Sequence, residues 1–213
     1  MRGGCRCGRL GNLDQWTVET MHTRRIHILG ASGSGTTTLG RVLAGEMAVP
    51  HHDTDDYFWL PTDPPFTEKR PEADRLRLMT ELFTPRAAWV LSGSLVGWGD
   101  PLIPLFDLVV FLQTPAATRL ARLRDREVLR YGQAAVGSGG THHEATEGFL
   151  NWAAGYDGGG LEGRSLRRHE EWLAGLPCPA VRLDGSRPIP ELVASLLGAA
   201  TRAAFDDSPG SGC

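Results

Sequence analysis

The residues that carry chemistry begin at Arg25-Ile26-His27-Ile28-Leu29-Gly30-Ala31-Ser32-Gly33-Ser34-Gly35-Thr36-Thr37-Thr38-Leu39. This stretch reads as a buried strand, a glycine loop and the opening of a helix. Gly30, Gly33 and Gly35 let the backbone turn tightly and aim its N–H groups inward. A helix opening behind such a loop adds unpaired N–H groups and a positive dipole end. Together they make a seat for phosphate. Against the phosphate-loop pattern G-x-x-x-x-G-K-[ST], Gly30, Gly35 and Thr37 match, while Thr36 stands where the pattern has lysine. Thr37 keeps the hydroxyl that faces Mg²⁺. A lost charge-assisted hydrogen bond, roughly 1.5–3 kcal/mol, weakens phosphate binding about 10- to 150-fold. Lys69 is the one lysine in the chain, so a replacement cation has to be an arginine from elsewhere.

A second constellation is His51-His52-Asp53-Thr54-Asp55-Asp56. Three carboxylates so close together repel one another unless a cation, a substrate or free water offsets the charge. Two adjacent histidines on a strand point in different directions, which argues against a histidine metal site. Ser92-Gly93-Ser94 follows an apolar run and reads as the carboxyl end of a strand, the edge at which open α/β sheets bind ligands. Arg119, Arg122, Arg126 and Arg130 step by three and four and so share one helix face, as either a phosphate-gripping surface or a solvated one paired with Asp125 and Glu127.

The elements that must hold these groups follow from periodicity. A helix is expected from about Thr36 to about Met47, with Leu39, Val42, Leu43 and Met47 at helical spacing. A short strand near Val49–His52 delivers the acidic turn. An irregular proline-rich connection over residues 60–71 leads to an amphipathic helix from about Glu72 to about Phe83. Ala87–Leu91 and the continuous apolar run Leu108–Leu112 read as strands, the second a central parallel one. Pro115 suits the first turn of the helix carrying the arginines. Residues 132–148 are rich in Gly, Ser and His and read as mobile. His142-His143-Glu144 is expected at a solvated tip. Helices interrupted at Gly158–Gly160 follow, then a strand at Ala180–Leu183 and a final helix behind Pro188. Trp59, Trp89 and Trp152 are expected in the core, and Trp98, flanked by glycines, on the surface.

The order predicts a three-layer α/β/α fold with a mainly parallel five-stranded sheet. Residues 1–24 lack periodicity and are expected to be disordered. Residues 25–200 form the domain and 201–213 a flexible tail. Met21, just before the first strand, is a candidate translation start. The 213 residues suffice for one sizeable core. A net charge of -3 gives no basic footprint for nucleic acid. No apolar run approaches the ~20 residues of a membrane span. Cys5, Cys7, Cys178 and Cys213 lack zinc-site spacing and read as free thiols in a reducing compartment. A cytoplasmic location is therefore expected.

On these motifs the chain resembles the small-molecule branch of P-loop kinases, the nucleoside-monophosphate, shikimate and gluconate kinases, over roughly residues 24–198. Its overall order looks closest to the bacterial proteins called adenylate kinase-like or topology-modulation proteins. The resemblance implies ATP and Mg²⁺ as cofactors and a small-molecule phosphoacceptor, such as a nucleoside monophosphate, as partner. It implies that Gly30, Ser32, Gly33, Ser34, Gly35, Thr36, Thr37 and Thr38 hold the donor's phosphates. Asp53-Thr54-Asp55 looks like the Asp-x-Asp of shikimate kinases, so Thr37 and Asp53 would hold the metal and Asp55 would orient or deprotonate the acceptor hydroxyl. Ser92, Gly93 and Ser94, with Asp53, would line the acceptor site. The region of about 119–148 resembles a lid, with Arg122 and Arg126 as catalytic cations. Asp184–Pro188, including Arg187, resembles the adenine-cradling loop. The sequence departs from the pattern in the missing loop lysine and in lacking a strand that ends in a plain Walker B aspartate, since Asp107 precedes its strand. A kinase and a nucleotide-binding sensor without transfer activity are the two function classes left by these residues.

Overall fold

The computed structural model describes residues 24–158 and 164–205. The expected disorder at the N-terminus falls outside these residues apart from Arg24, as do Cys5, Cys7 and Cys213. Five strands, β1 (Arg25–Gly30), β2 (His51–Asp53), β3 (Trp89–Ser92), β4 (Leu108–Gln113) and β5 (Ala180–Asp184), form one parallel sheet in the order β2-β3-β1-β4-β5. The helices are α1 (Thr36–Glu46), α2 (Thr54–Phe58), α3 (Glu72–Leu82), α4 (Ala116–Tyr131), α5 (Gln133–Val136), α6 (His143–Ala154), α7 (Leu166–Ala174) and α8 (Ile189–Phe205), with a 3₁₀ helix at Asp100–Leu105. This is the α/β fold with a parallel five-stranded sheet that the strand–helix order leads to expect.

The central strands β1, β3 and β4 are largely apolar because both faces are covered. Ile26, Ile28, Val90, Val110 and Leu183 point to one layer, where Leu39 and Leu43 of α1 and Leu192 and Leu196 of α8 meet them. Leu29, Trp89, Leu91, Val109 and Phe111 point to the other, against Met79 and Phe83 at α3 and Leu173 of α7. Alternation along each strand thus builds two cores. Each large side chain buried in them contributes about 1.5–3 kcal/mol. Asp107 immediately precedes β4 and ties it to β1, its carboxylate accepting from the backbone N–H groups of Arg24 and Arg25 at 2.9 and 2.8 Å. All the strands being parallel, Gly30, Asp53, Ser92, Gln113 and Asp184 end at one edge.

Several expectations need correction. Trp152, expected in the core, is exposed on α6 and stacks on Phe149 with centroids 6.0 Å apart. Residues 132–148, read as mobile, form α5 and the start of α6. Gly132, at φ 83°, ends α4 and starts α5. Val136 and Thr146 are buried, His142 stacks on Tyr131 with centroids 4.1 Å apart, and the Nδ1 of His143 meets the carbonyl of Val136 at 3.0 Å. Trp98 is buried, not exposed, and donates from Nε1 to the carbonyl of Ser94 at 3.2 Å. The final helix continues to Phe205, past residue 200 where the tail was expected to begin; residues 206–213 lie outside the described residues. No helix of the described residues is long and apolar enough to cross a membrane.

Candidate active site

The glycine loop lies between β1 and α1 at the carboxyl edge of the sheet, as its spacing requires. Gly33 and Gly35 have φ of 79° and 99°, a backbone that side chains rarely adopt. A Cβ at Gly33 would also lie 2.6 Å from the carbonyl of Arg119, so α4 is in close contact with the loop. Within the loop, Ser34 N–H bonds the carbonyl of Ala31 at 3.0 Å. Leu39 N–H, the first inside α1 with a partner, reaches Gly35 at 2.9 Å. Among the described residues, the N–H groups of Gly33, Gly35, Thr36, Thr37 and Thr38 find no protein acceptor. Five donors converging at a helix start form an anion seat. The hydroxyl of Ser34 is buried beside them without a partner.

Asp53 ends β2 and caps α2. Its carboxylate accepts from the hydroxyl of Thr37 at 2.6 Å, the hydroxyl of Ser92 at 3.2 Å and the N–H of Asp55 at 3.0 Å. Since Ser92 gives its proton to Asp53, its oxygen accepts from His51 Nε2 at 3.0 Å, which fixes the histidine tautomer. His51 lies against Gly40, where a Cβ would be 2.7 Å from Nε2. A line of hydrogen bonds therefore runs from His51 through Ser92 and Asp53 to the loop's Thr37. The sequence missed it, because β2 and β3 become neighbours only in the sheet. His51 is held below its usual pKa, chiefly by burial and against the pull of Asp53.

Asp55 is exposed in the first turn of α2. Loss of surrounding water is the largest effect and raises its pKa; the charge of Arg164 lowers it, Asp53 raises it, and Arg126 lowers it. Asp56 is likewise raised by desolvation first and Asp53 second. Arg164 was not singled out in the sequence. It precedes α7, and its Nη1 donates to the Ser32 hydroxyl of the loop at 3.2 Å.

The arginines of α4 have separate partners. Arg119 is fully buried and pairs with Asp157 at 2.7 Å. Arg122 donates from Nη1 to the carbonyls of Ser34 and Gly185, at 3.2 and 3.1 Å, and so ties the loop to the turn after β5. Arg126 meets Glu127 at 3.2 Å and lies over Phe149. Arg130 faces Glu127 and Phe66. Arg187 pairs with Glu191 one turn along α8. At the end of β3, Ser92 joins the Asp53 cluster, and Gly93 passes against Thr54. Ser94 turns inward, its hydroxyl 3.1 Å from His169 Nε2. The other nitrogen of His169 meets the Tyr156 hydroxyl at 2.8 Å.

No family model matches the chain. Over 174 residues it is 45% identical to the uncharacterized protein YqaC of Bacillus subtilis (strain 168), a match covering 82% of this chain and 96% of that protein. Among solved structures it is similar to a gluconokinase from Sinorhizobium meliloti 1021, at 19% identity and a TM-score of 0.49 over 87% of this chain and 95% of that one. It is also similar to shikimate kinase from Acinetobacter baumannii in complex with shikimate, at 16% identity and a TM-score of 0.49 over 89% and 97%.

Proposed function

This chain belongs to the family of the Bacillus subtilis protein YqaC, and we propose that it is a kinase that moves the γ-phosphoryl group of Mg·ATP onto a hydroxyl of a small metabolite. The observation that carries the reading is the direct bond between Thr37 and Asp53 beside a loop of unpaired N–H groups, with Asp55 two residues on. The donor set suits Mg²⁺, which favours hard oxygens. Thr37 gives its proton to Asp53 and keeps lone pairs for a cation. Mg²⁺, when bound, supplies positive charge to the phosphate oxygens and orients the donor.

The chain's own groups do the rest. The N–H groups of Gly33, Gly35, Thr36, Thr37 and Thr38 grip the β- and γ-phosphates, and the turn at Gly185 lies beside the donor's base. Asp55 takes the acceptor's hydroxyl proton, the freed oxygen bonds the γ-phosphorus, and the bond from that phosphorus to the β–γ bridging oxygen breaks. ADP leaves with the bridging oxygen. A raised pKa makes Asp55 a stronger base than an ordinary carboxylate. Arg126 adds cationic charge from α4. Arg122 braces the loop by tying the Ser34 carbonyl to the turn at Gly185.

ADP formation from Mg·ATP, measured against nucleoside monophosphates, nucleosides, shikimate and gluconate, tests the reading. Asp55→Ala should lower turnover by about 100-fold or more while leaving ATP binding near wild type. Unchanged turnover refutes the role of Asp55. Thr36 at the lysine position favours a second reading, a nucleotide-binding sensor. Tight nucleotide binding by calorimetry with no turnover on any acceptor would select it.

A further inference from the structure

A loop that lacks its lysine needs its cation from another element. Thr36 cannot supply it, and its methyl folds back over Gly30, to within 3.2 Å of where a Cβ there would be. Lys69 lies beyond α2, near the ring of Phe58. The arginines of α4 are partly spent. Arg119 is buried on Asp157, Arg124 is paired with Glu147, and Arg126 and Arg130 share Glu127. Arg122 does touch the loop, but its Nη1 is taken up by the carbonyls of Ser34 and Gly185.

Arg164 differs from all of these. Its guanidinium meets a loop hydroxyl, that of Ser32, across 132 residues of sequence. Among the described residues its guanidinium has no carboxylate within ion-pair distance and no hydrogen-bond partner besides Ser32. A γ-phosphate gripped by the loop and attacked by a hydroxyl that Asp55 deprotonates has to lie between those two groups, and Arg164 touches the first of them.

We propose that Arg164 is the catalytic cation that replaces the loop lysine, gripping the γ-phosphate from the Ser32 side and stabilising charge as the phosphoryl group moves. This rests on the kinase reading. The planar fork of arginine can bind two phosphate oxygens at once, which a lysine cannot. Because its backbone is outside the loop, the same charge is delivered from the α6–α7 layer.

The test compares wild type, Arg164→Ala, Arg164→Gln, Thr36→Lys and the double variant Thr36→Lys/Arg164→Ala in the full chain. Two readouts are taken: kcat with the acceptor found in the panel, and calorimetric affinity for a non-hydrolysable Mg·ATP analogue relative to Mg·ADP. Loss of Arg164 should lower kcat about 100-fold or more. It should also erase the preference for the triphosphate over the diphosphate. Restoring a lysine at position 36 should recover at least about ten-fold of both losses, which also shows that the variant folds. Two results would overturn the proposal: an unchanged triphosphate preference in both single Arg164 variants, or a rise in acceptor KM alone with kcat intact. If wild type binds the triphosphate preferentially but turns over no acceptor, the kinase reading fails while the binding arm still decides the role of Arg164.

Discussion

Gly93 couples the fold to the acidic turn closely enough for its substitution to be worked out from the coordinates. Its φ is +107°, and a Cβ there would lie 1.9 Å from the Oγ1 of Thr54, 3.0 Å from its Cβ and 3.2 Å from its Cγ2. Gly93→Ala therefore has two costs. Holding an alanine at this φ costs about 1–3 kcal/mol. Forcing a methyl into the buried Thr54 costs about 1–3 kcal/mol more, by analogy with overpacked cores. The sum, about 2–6 kcal/mol, should lower the melting temperature by roughly 5–20 °C for a domain of this size. Thr54 lies between Asp53 and Asp55, so the displaced turn should also lower turnover. The two costs separate in a double-mutant cycle. The Oγ1 of Thr54 is buried without a partner, so Thr54→Ala alone should cost little. In the Gly93→Ala background it should restore about 1–3 kcal/mol, leaving the backbone cost in place. Urea denaturation of the four proteins measures the cycle. A Gly93→Ala protein as stable as wild type, or a double variant no more stable than Gly93→Ala, would refute the close approach on which the reasoning depends.

Ser92→Ala removes one of the three donors that hold Asp53 and cuts its link to His51. The apparent Mg²⁺ requirement for nucleotide binding should rise about 10- to 100-fold, and a Mg²⁺ titration identical to wild type would exclude this supporting role. The two buried histidines give a pH signature. Burial pushes His27 down to about 4 and His169 down to about 3. Both bind a proton more readily in the unfolded chain, so the stability they contribute is complete above about pH 6.5 and is lost as pH falls toward those values. Each should add about 1.4 kcal/mol per pH unit to the slope of unfolding free energy between about pH 6 and pH 4.5. His169→Gln should lower that slope by one such increment, and an unaltered slope would mean that His169 is not held neutral.

The groups that lie close in sequence were the legible ones. Gly30 to Thr37 and Asp53 to Asp55 each place their atoms through a single turn or cap, so residue type and spacing were enough to find them. The strands were legible because both faces of the sheet are buried. Even so, β2 was set two residues early, since its three residues are only half-buried and carry no apolar run. Composition misled where tertiary contacts decide. Glycines on either side of Trp98 read as exposure. Yet Gly99 is there because Leu95 is in contact with it, and a Cβ would lie 2.6 Å from that side chain. The spacing of the arginines gave one helix face and offered Glu127 as a partner, which pairs with Arg126 and Arg130, but Asp157 and Glu147, the partners of Arg119 and Arg124, come from packing and spacing could not assign them.

Arg164 shows where local reading ends and why that matters to the chemistry. A lysine at position 36 would be positioned by the first turn of α1, with help from nothing outside the loop. Arg164 reaches Ser32 only when α7 is seated on the sheet. Ser165, the next residue, is fully buried and caps α7, accepting from Arg168 N–H at 3.4 Å. One turn further, His169 bonds Ser94 at the end of β3 and Tyr156 beyond α6. The Tyr156 ring in turn lies 5.1 Å from the guanidinium of Arg119, whose carbonyl closes against Gly33 of the loop. The buried histidine thus fixes the segment that presents the arginine, and α4 fixes the loop that receives it. Replacing a local cation by a distant one moves control of the phosphate seat from the glycine loop to the docking of a helical layer. The sequence signal for the seat is correspondingly split between a motif that is easy to read and an arginine without one.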